Sequence, residues 1–155
     1  MASFTTETKV NAPVEEVWSA LSDIGNIYAW NPGVVTSHLT TDEASGVGAA
    51  RYCDLGGNNY LDERVVEWEH CERLTMRVVG TNLPFKTVDI RFKLHPDPDT
   101  EGATLVSVSP VYELKYGPIG KVMDAVYVRG TYRKGMDALL RGLKEFVEDG
   151  GTTIN

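Results

Sequence analysis

Arg51 and Glu63 are the side chains of this sequence whose types and spacing could do chemistry. They stand in two strand-like stretches, ARYCDL and YLDERVV, joined by the turn-forming run Gly56-Gly57-Asn58-Asn59. If the loop within residues 56–60 is odd in length, odd-numbered residues of both strands share a face. That face then carries Arg51, Cys53 and Leu55 with Leu61, Glu63 and Val65. An even loop would separate them. A guanidinium opposite a carboxylate among apolar neighbours is within reach of a charge-assisted hydrogen bond. Burying such a pair is costly and adds little stability, so one reading is that it orients a polar group of a ligand. An internal ion pair with no ligand, or two side chains snorkelling to solvent, are the other readings.

Further inward candidates follow from the same alternation: Met76 and Val78; Val88, Ile90 and Phe92; Val106, Val108 and Tyr112. Tyr112 is the informative one, because a buried phenol needs a hydrogen-bond partner and could offer its own to a ligand. Other chemistries lack their residues. There is no HExxH, CxxC, GxSxG, phosphate-binding loop or GxGxxG, and His38, His70 and His95 stand far apart. The sequence therefore predicts no metal and no cofactor. His70 and His95 read as solvated; the facing of His38 is not fixed by the pattern.

These residues need elements to position them. Phe4, Thr6, Thr8 and Val10 alternate with polar residues, the period of a half-buried strand near 3–10. Pro13 suits the first turn of a helix whose apolar positions are Val14, Val17, Trp18 and Leu21, with Glu15 and Glu16 at its positive end. Ile24, Ile27 and Tyr28 predict a second short helical turn, which Asn31 must leave because it precedes Pro32. Strands are then expected near 34–41, 49–55, 60–69, 73–79, 86–95 and 103–115, between Gly-, Asn-, Asp- and Pro-rich breaks. After Pro118 the period becomes helical: Ile119, Val122, Met123 and Val126, then Met136, Leu139, Leu140, Leu143, Phe146 and Val147. The expected fold is α+β: a curved seven-stranded antiparallel sheet wrapped around a long C-terminal helix, with two short helices after strand one. Met123, Tyr127 and Gly130 would lie where that helix overhangs the sheet, with Gly130 marking a portal or a close contact.

The chain has 155 residues, 42% of them hydrophobic, and no repeat or low-complexity run, so the expectation is one domain over 1–155. A formal net charge of -7 argues against nucleic acid and anionic membranes as partners. No apolar run reaches the length of a membrane helix or a signal peptide, and two isolated cysteines make no disulfide framework. A soluble, cytoplasmic protein is expected; the sequence leaves its oligomeric state open.

Five stretches carry a resemblance: Asn11-Ala12-Pro13-Val14-Glu15-Glu16-Val17-Trp18, Ala29-Trp30-Asn31-Pro32, Gly48-Ala49-Ala50-Arg51, Asp62-Glu63-Arg64-Val65, and the closing helix through Phe146. In that order, over about residues 4–148, the chain resembles the helix-grip (SRPBCC) superfamily. That superfamily includes START-like lipid carriers, the birch-pollen-allergen family, abscisic-acid receptors and polyketide cyclase/dehydrase-like proteins. The resemblance implies an internal cavity between sheet and helix, with Arg51 and Glu63 similar to cavity-lining residues of the hormone receptors. The iron-holding members use two His and a carboxylate, a spacing absent here. The expected ligand-binding set is Arg51, Cys53, Glu63, Val65, Met76, Ile90, Phe92, Val108, Tyr112, Met123 and Tyr127, gated by Leu83, Phe85 and Trp30. The expected partner is a hydrophobic small molecule: a polyketide, a lipid or a sterol-like compound. The alternative is an aromatic polyketide cyclase or dehydratase, closing a ring by aldol chemistry with Glu63 as base and Arg51 or Tyr112 as donor.

Overall fold

A computed structural model describes residues 1–151. Its strands are β1 (Ala2–Ser3), β2 (Thr6–Val10), β3 (Thr36–Leu39), β4 (Ala50–Gly56), β5 (Asn59–Glu69), β6 (Arg73–Thr81), β7 (Phe85–Pro96) and β8 (Thr104–Leu114). All pair antiparallel in the order β1-β8-β7-β6-β5-β4-β3, with β2 also on β8. Eight strands replace the seven expected because strand one is interrupted at Phe4 and Thr5, although both halves keep one register on β8. Phe4 is buried there, edge-on to Tyr132 at 5.4 Å.

Helix α1 (Val14–Ser22) starts after Pro13 and buries Val17, Trp18 and Leu21, the positions the helical period selects. Trp18 meets Trp68 of β5 edge to face at 5.2 Å, which seats the helix on the sheet. A 3-10 segment, Ile24–Ala29, follows. The chain then leaves helical geometry at Trp30 and Asn31 as the following proline requires.

Two features depart from the sequence reading. The β4–β5 turn is even, not odd: Gly57 and Asn58 form a two-residue turn with φ of 60° and 66°. The expected facing survives because the register shifts between Asp54 and Gly56. Leu55 is thus the extra residue of a bulge, and Gly56 at φ 83° absorbs the bend.

The second departure is in the closing helix, which runs as α2 (Gly117–Met123), a π-helical turn (Asp124–Val128) and α3 (Arg129–Glu148). Only α3 follows the expected stripe, burying Leu139, Leu140, Leu143 and Val147. Ile119, Val122 and Val126 are exposed instead, and Met123 is half-buried. In α2 and the π turn, the protein-facing positions include Gly120, whose Cβ would meet the Lys115 carbonyl oxygen at 2.4 Å, and Asp124, which accepts the Tyr112 hydroxyl. The extra residue of the π turn puts this end out of phase with α3.

α3 comes very close to the backbone of Trp30. A Cβ added at Gly142 would lie 1.9 Å from the Trp30 carbonyl oxygen, so only glycine permits this approach. Gly142→Ala is expected to cost about 1–3 kcal/mol in urea unfolding through backbone displacement. Gly130, with open space around its missing Cβ, gives the contrast. Gly130→Ala should be neutral or gain up to about 1 kcal/mol from helix propensity.

Candidate functional site

A cavity of about 450 Å³ lies between the concave sheet and the helix. β4 and β5 supply Arg51, Cys53, Leu55, Leu61 and Glu63; β6 and β7 supply Val78, Val88, Ile90 and Phe92. Leu83, Pro84 and Phe85 close one side, and Ile27, Asn31, Gly33 and Val34 another. The helix contributes Tyr127, Val128, Thr131, Tyr132, Gly135, Met136 and Leu139. Among these wall residues Gly33, Tyr127, Thr131 and Gly135 are themselves exposed, which places the opening between the helix and the segment after Trp30.

The charged side chains in this wall are Arg51 and Glu63, only 4% and 2% exposed. They stand directly opposite in the β4–β5 ladder, and Arg51 Nε donates to Glu63 Oε1 at 2.9 Å. Arg51 Nη1 donates to the Ile24 carbonyl at 3.1 Å, and Cys53 Sγ to Glu63 Oε1 at 3.6 Å. Each of these bonds offsets part of the cost of holding two charges away from water. Burial and then the negative field of Glu63 push the Cys53 thiol up to about 12.

Of the residues expected to meet ligand, Arg51, Cys53, Glu63, Ile90, Phe92 and Tyr127 line the cavity. Val65, Met76 and Val108 are fully buried in packed core outside its wall, and Met123 packs half-buried against that core. They share the concave side of the molecule, but neighbouring side chains fill the space in front of them. Tyr112 is also outside the wall. Its hydroxyl is bonded to Asp124, and burial, then that contact, raise its pKa to about 12. Tyr112 thus lies behind the wall, with its hydroxyl donated to Asp124 rather than presented to the cavity.

Of the gate residues, Leu83 and Phe85 are in the wall and Trp30 is not. Trp30 is 6% exposed between α1 and α3, and its Nε1 has no partner among the described residues. So the stretch Ile27–Val34 is both a helix stop and a rim, with its tryptophan turned into the core. The two loops at this end are tied together: Asn82 Nδ2 donates to the Asn58 carbonyl at 2.8 Å, and the Tyr60 amide donates to Asn82 Oδ1 at 3.1 Å.

Tyr132 is a wall residue the sequence reading missed, as it did Val128, Thr131 and Gly135. It sits in the wall, 5.2 Å ring to ring from Tyr112 and 5.6 Å from Phe85. Burial, then the field of Glu63, raise its phenol above the ordinary tyrosine range. Its signal was present: Val128, Tyr132, Met136 and Leu139 follow helical spacing. Gly130 is not in the wall; on the same helix Gly135 is, with open space around its missing Cβ. His38 is exposed, its ring 5.5 Å from Tyr52, and His70 and His95 are exposed as well. Among the described residues no three His, Cys, Asp or Glu side chains are placed to hold a metal ion, and no helix is long and apolar enough to cross a membrane.

Comparison with known proteins fits this geometry. The family described as polyketide cyclase / dehydrase and lipid transport matches residues 1–148. No curated protein matches the sequence. Among solved structures, a protein of Thermus thermophilus is similar at a TM-score of 0.79 and 19% identity, over 97% of this chain and 100% of that one. A START superfamily protein from Mycobacterium smegmatis is similar at 0.77 and 18%, over 95% and 97% of the two chains. A Thermobifida fusca protein solved in solution is similar at 0.70 and 23%, over 90% and 91%. At these identities the likeness is one of fold, the START-like helix grip.

The raised Cys53 thiol yields a direct check. A thiol titrating near 12 is almost wholly protonated at pH 8, and the thiolate is the nucleophile. Native protein treated with iodoacetamide at pH 8 should leave Cys53 unmodified by peptide mass mapping. Denatured protein should be alkylated there.

Proposed function

The chain belongs to the polyketide cyclase/dehydrase and lipid transport family, and from that premise we propose that it binds a hydrophobic small molecule in the cavity between sheet and helix. The observation that carries this reading is the contrast within one wall: aliphatic and aromatic side chains nearly throughout, and one buried ion pair. A volume of about 450 Å³ falls among sites for small organic ligands, ~300–1,000 Å³. The apolar body of the ligand is held by Leu55, Leu61, Val88, Ile90 and Phe92, and its polar group meets Arg51, Glu63 and Tyr132. Leu83, Pro84 and Phe85 form the gate, with Asn82 coupling their loop to the β4–β5 turn. A polyketide, an acyl lipid or a sterol-like compound fits this description. Free cysteines at 53 and 71 accord with a cytoplasmic setting.

A second reading keeps the same cavity and adds turnover. Aldol ring closure needs a base near an acidic methylene and a donor for the enolate oxygen. Glu63 Oε2 and the Tyr132 hydroxyl both lack a partner among the described residues and belong to the wall, which is the observation favouring it. In this reading Tyr132 joins Arg51 as a donor in place of Tyr112.

Native mass spectrometry of protein purified from its own host, followed by denaturing extraction, tests the binding reading. A co-purified apolar compound is expected; an empty protein that also takes up no member of a lipid and polyketide panel would overturn it. With a ligand in hand, Phe85→Ala should raise the dissociation rate by about tenfold, since gating acts on release. An unchanged rate would remove residues 83–85 from the gate. Conversion of a poly-β-keto thioester to a cyclised product, lost in Glu63→Gln, would establish the second reading.

A further inference from the structure

We infer that the polar end of this cavity selects uncharged ligands, those presenting a hydrogen-bond donor beside an acceptor, and turns away free carboxylates. The inference rests on the binding reading above and specifies its ligand class: an enol, a hydroxy-ketone, a phenol beside a carbonyl, or a primary amide.

Glu63 Oε1 accepts from Arg51 Nε and from Cys53 Sγ, and Arg51 Nη1 donates to the Ile24 carbonyl. Glu63 Oε2 and Arg51 Nη2 are left without a protein partner among the described residues. They are not sealed in: Trp30 Nε1 is the one fully buried side-chain nitrogen or oxygen without a partner among those residues. Since Arg51 and Glu63 are almost entirely shielded from bulk solvent and both line the cavity, Oε2 and Nη2 open onto it. The Tyr132 hydroxyl is in the same position.

A ligand therefore meets a negative acceptor beside a positive donor, with no other charged side chain in the wall. A carboxylate would bond Nη2, but its charge would lie beside that of Glu63 in surroundings too apolar to screen it. Arg51 is already neutralised by Glu63 and has no surplus charge to hold a second anion. An ammonium meets the mirror problem. A neutral group with donor and acceptor on neighbouring atoms satisfies both open positions, brings no charge to desolvate, and leaves the ion pair intact.

Decanamide and decanoic acid differ at the polar end and share the same chain, so their relative affinity at pH 7 by isothermal titration calorimetry reads the selection directly. Decanamide is expected to bind the wild-type protein at least about tenfold more tightly, ~1.4 kcal/mol. Glu63→Gln, which leaves Arg51 as a lone cation, should tighten decanoate binding by a comparable factor and shrink or reverse the preference. Equal affinities, or tighter decanoate, in the wild type would overturn the selection while leaving cavity binding established. Binding of neither probe would overturn the selection, and the binding reading falls with it only when the lipid and polyketide panel is refused as well. Should Glu63→Gln fail to fold by circular dichroism, the wild-type ratio decides alone; a folded variant with unchanged decanoate affinity overturns the charge argument.

Discussion

A guanidinium and a carboxylate buried 2.9 Å apart constrain much of the rest of this fold. Neither charge could stay there alone, because an unpaired buried ion costs several kcal/mol, about 3–5 when one partner of a pair is removed. Keeping them together fixes the β4–β5 register at Arg51 opposite Glu63, and a slip of one residue would send one or both outward. The bond from Arg51 Nη1 to the Ile24 carbonyl extends that constraint to the segment after α1. One pair thereby ties two strands to the 3-10 turn that leads into the cavity rim.

The closing helix is the second organising element, and its two ends have different surroundings. α3 buries leucines against the sheet and approaches Trp30 so closely that Gly142 has room for no side chain. α2 leaves Ile119, Val122 and Val126 in solvent and is held through Tyr112 and Asp124. The π turn lies between these regimes, at the point where Tyr127 and Val128 enter the cavity wall. Phe4, Phe85, Tyr112 and Tyr132 form a connected aromatic cluster at this end. The start of β7, the first strand pair and the helix thus share one set of ring contacts.

How much of this was legible in the sequence depended on whether the signal was local. The alternation in β7 gives Val88, Ile90, Phe92 and Leu94 inward without ambiguity, and Arg51 and Glu63 were placed on one face. The route to that face was incomplete, because a two-residue turn and a bulge at Leu55 together produce the odd offset that an odd loop would have given. Parity alone does not separate the two. The π turn has no strong local signature, so a single helical period carried through it puts Ile119 and Val122 on the wrong side. Cavity and core were indistinguishable by pattern: Met76 and Ile90 are both inward, and only the packing of neighbours decides that one is covered and the other faces empty space.

That last distinction also bears on why the space exists. Around Val65, Met76, Val106 and Val108 the interior is filled to exclusion of solvent, whereas Val88, Ile90 and Phe92 border a cavity. An apolar cavity of this size forgoes dispersion contacts that a larger residue at Gly135 or Val78 could supply. The buried ion pair likewise adds little stability, because packed hydrocarbon in place of such a pair is often neutral or stabilising. Both departures from a well-filled core coincide at one place, open on the same volume, and are joined there by an unpaired phenol. A structural role for the ion pair accounts for its own bonds but leaves the empty volume and the uncommitted Oε2, Nη2 and Tyr132 hydroxyl without a reason. A ligand with an apolar body and a neutral polar end accounts for all of them together.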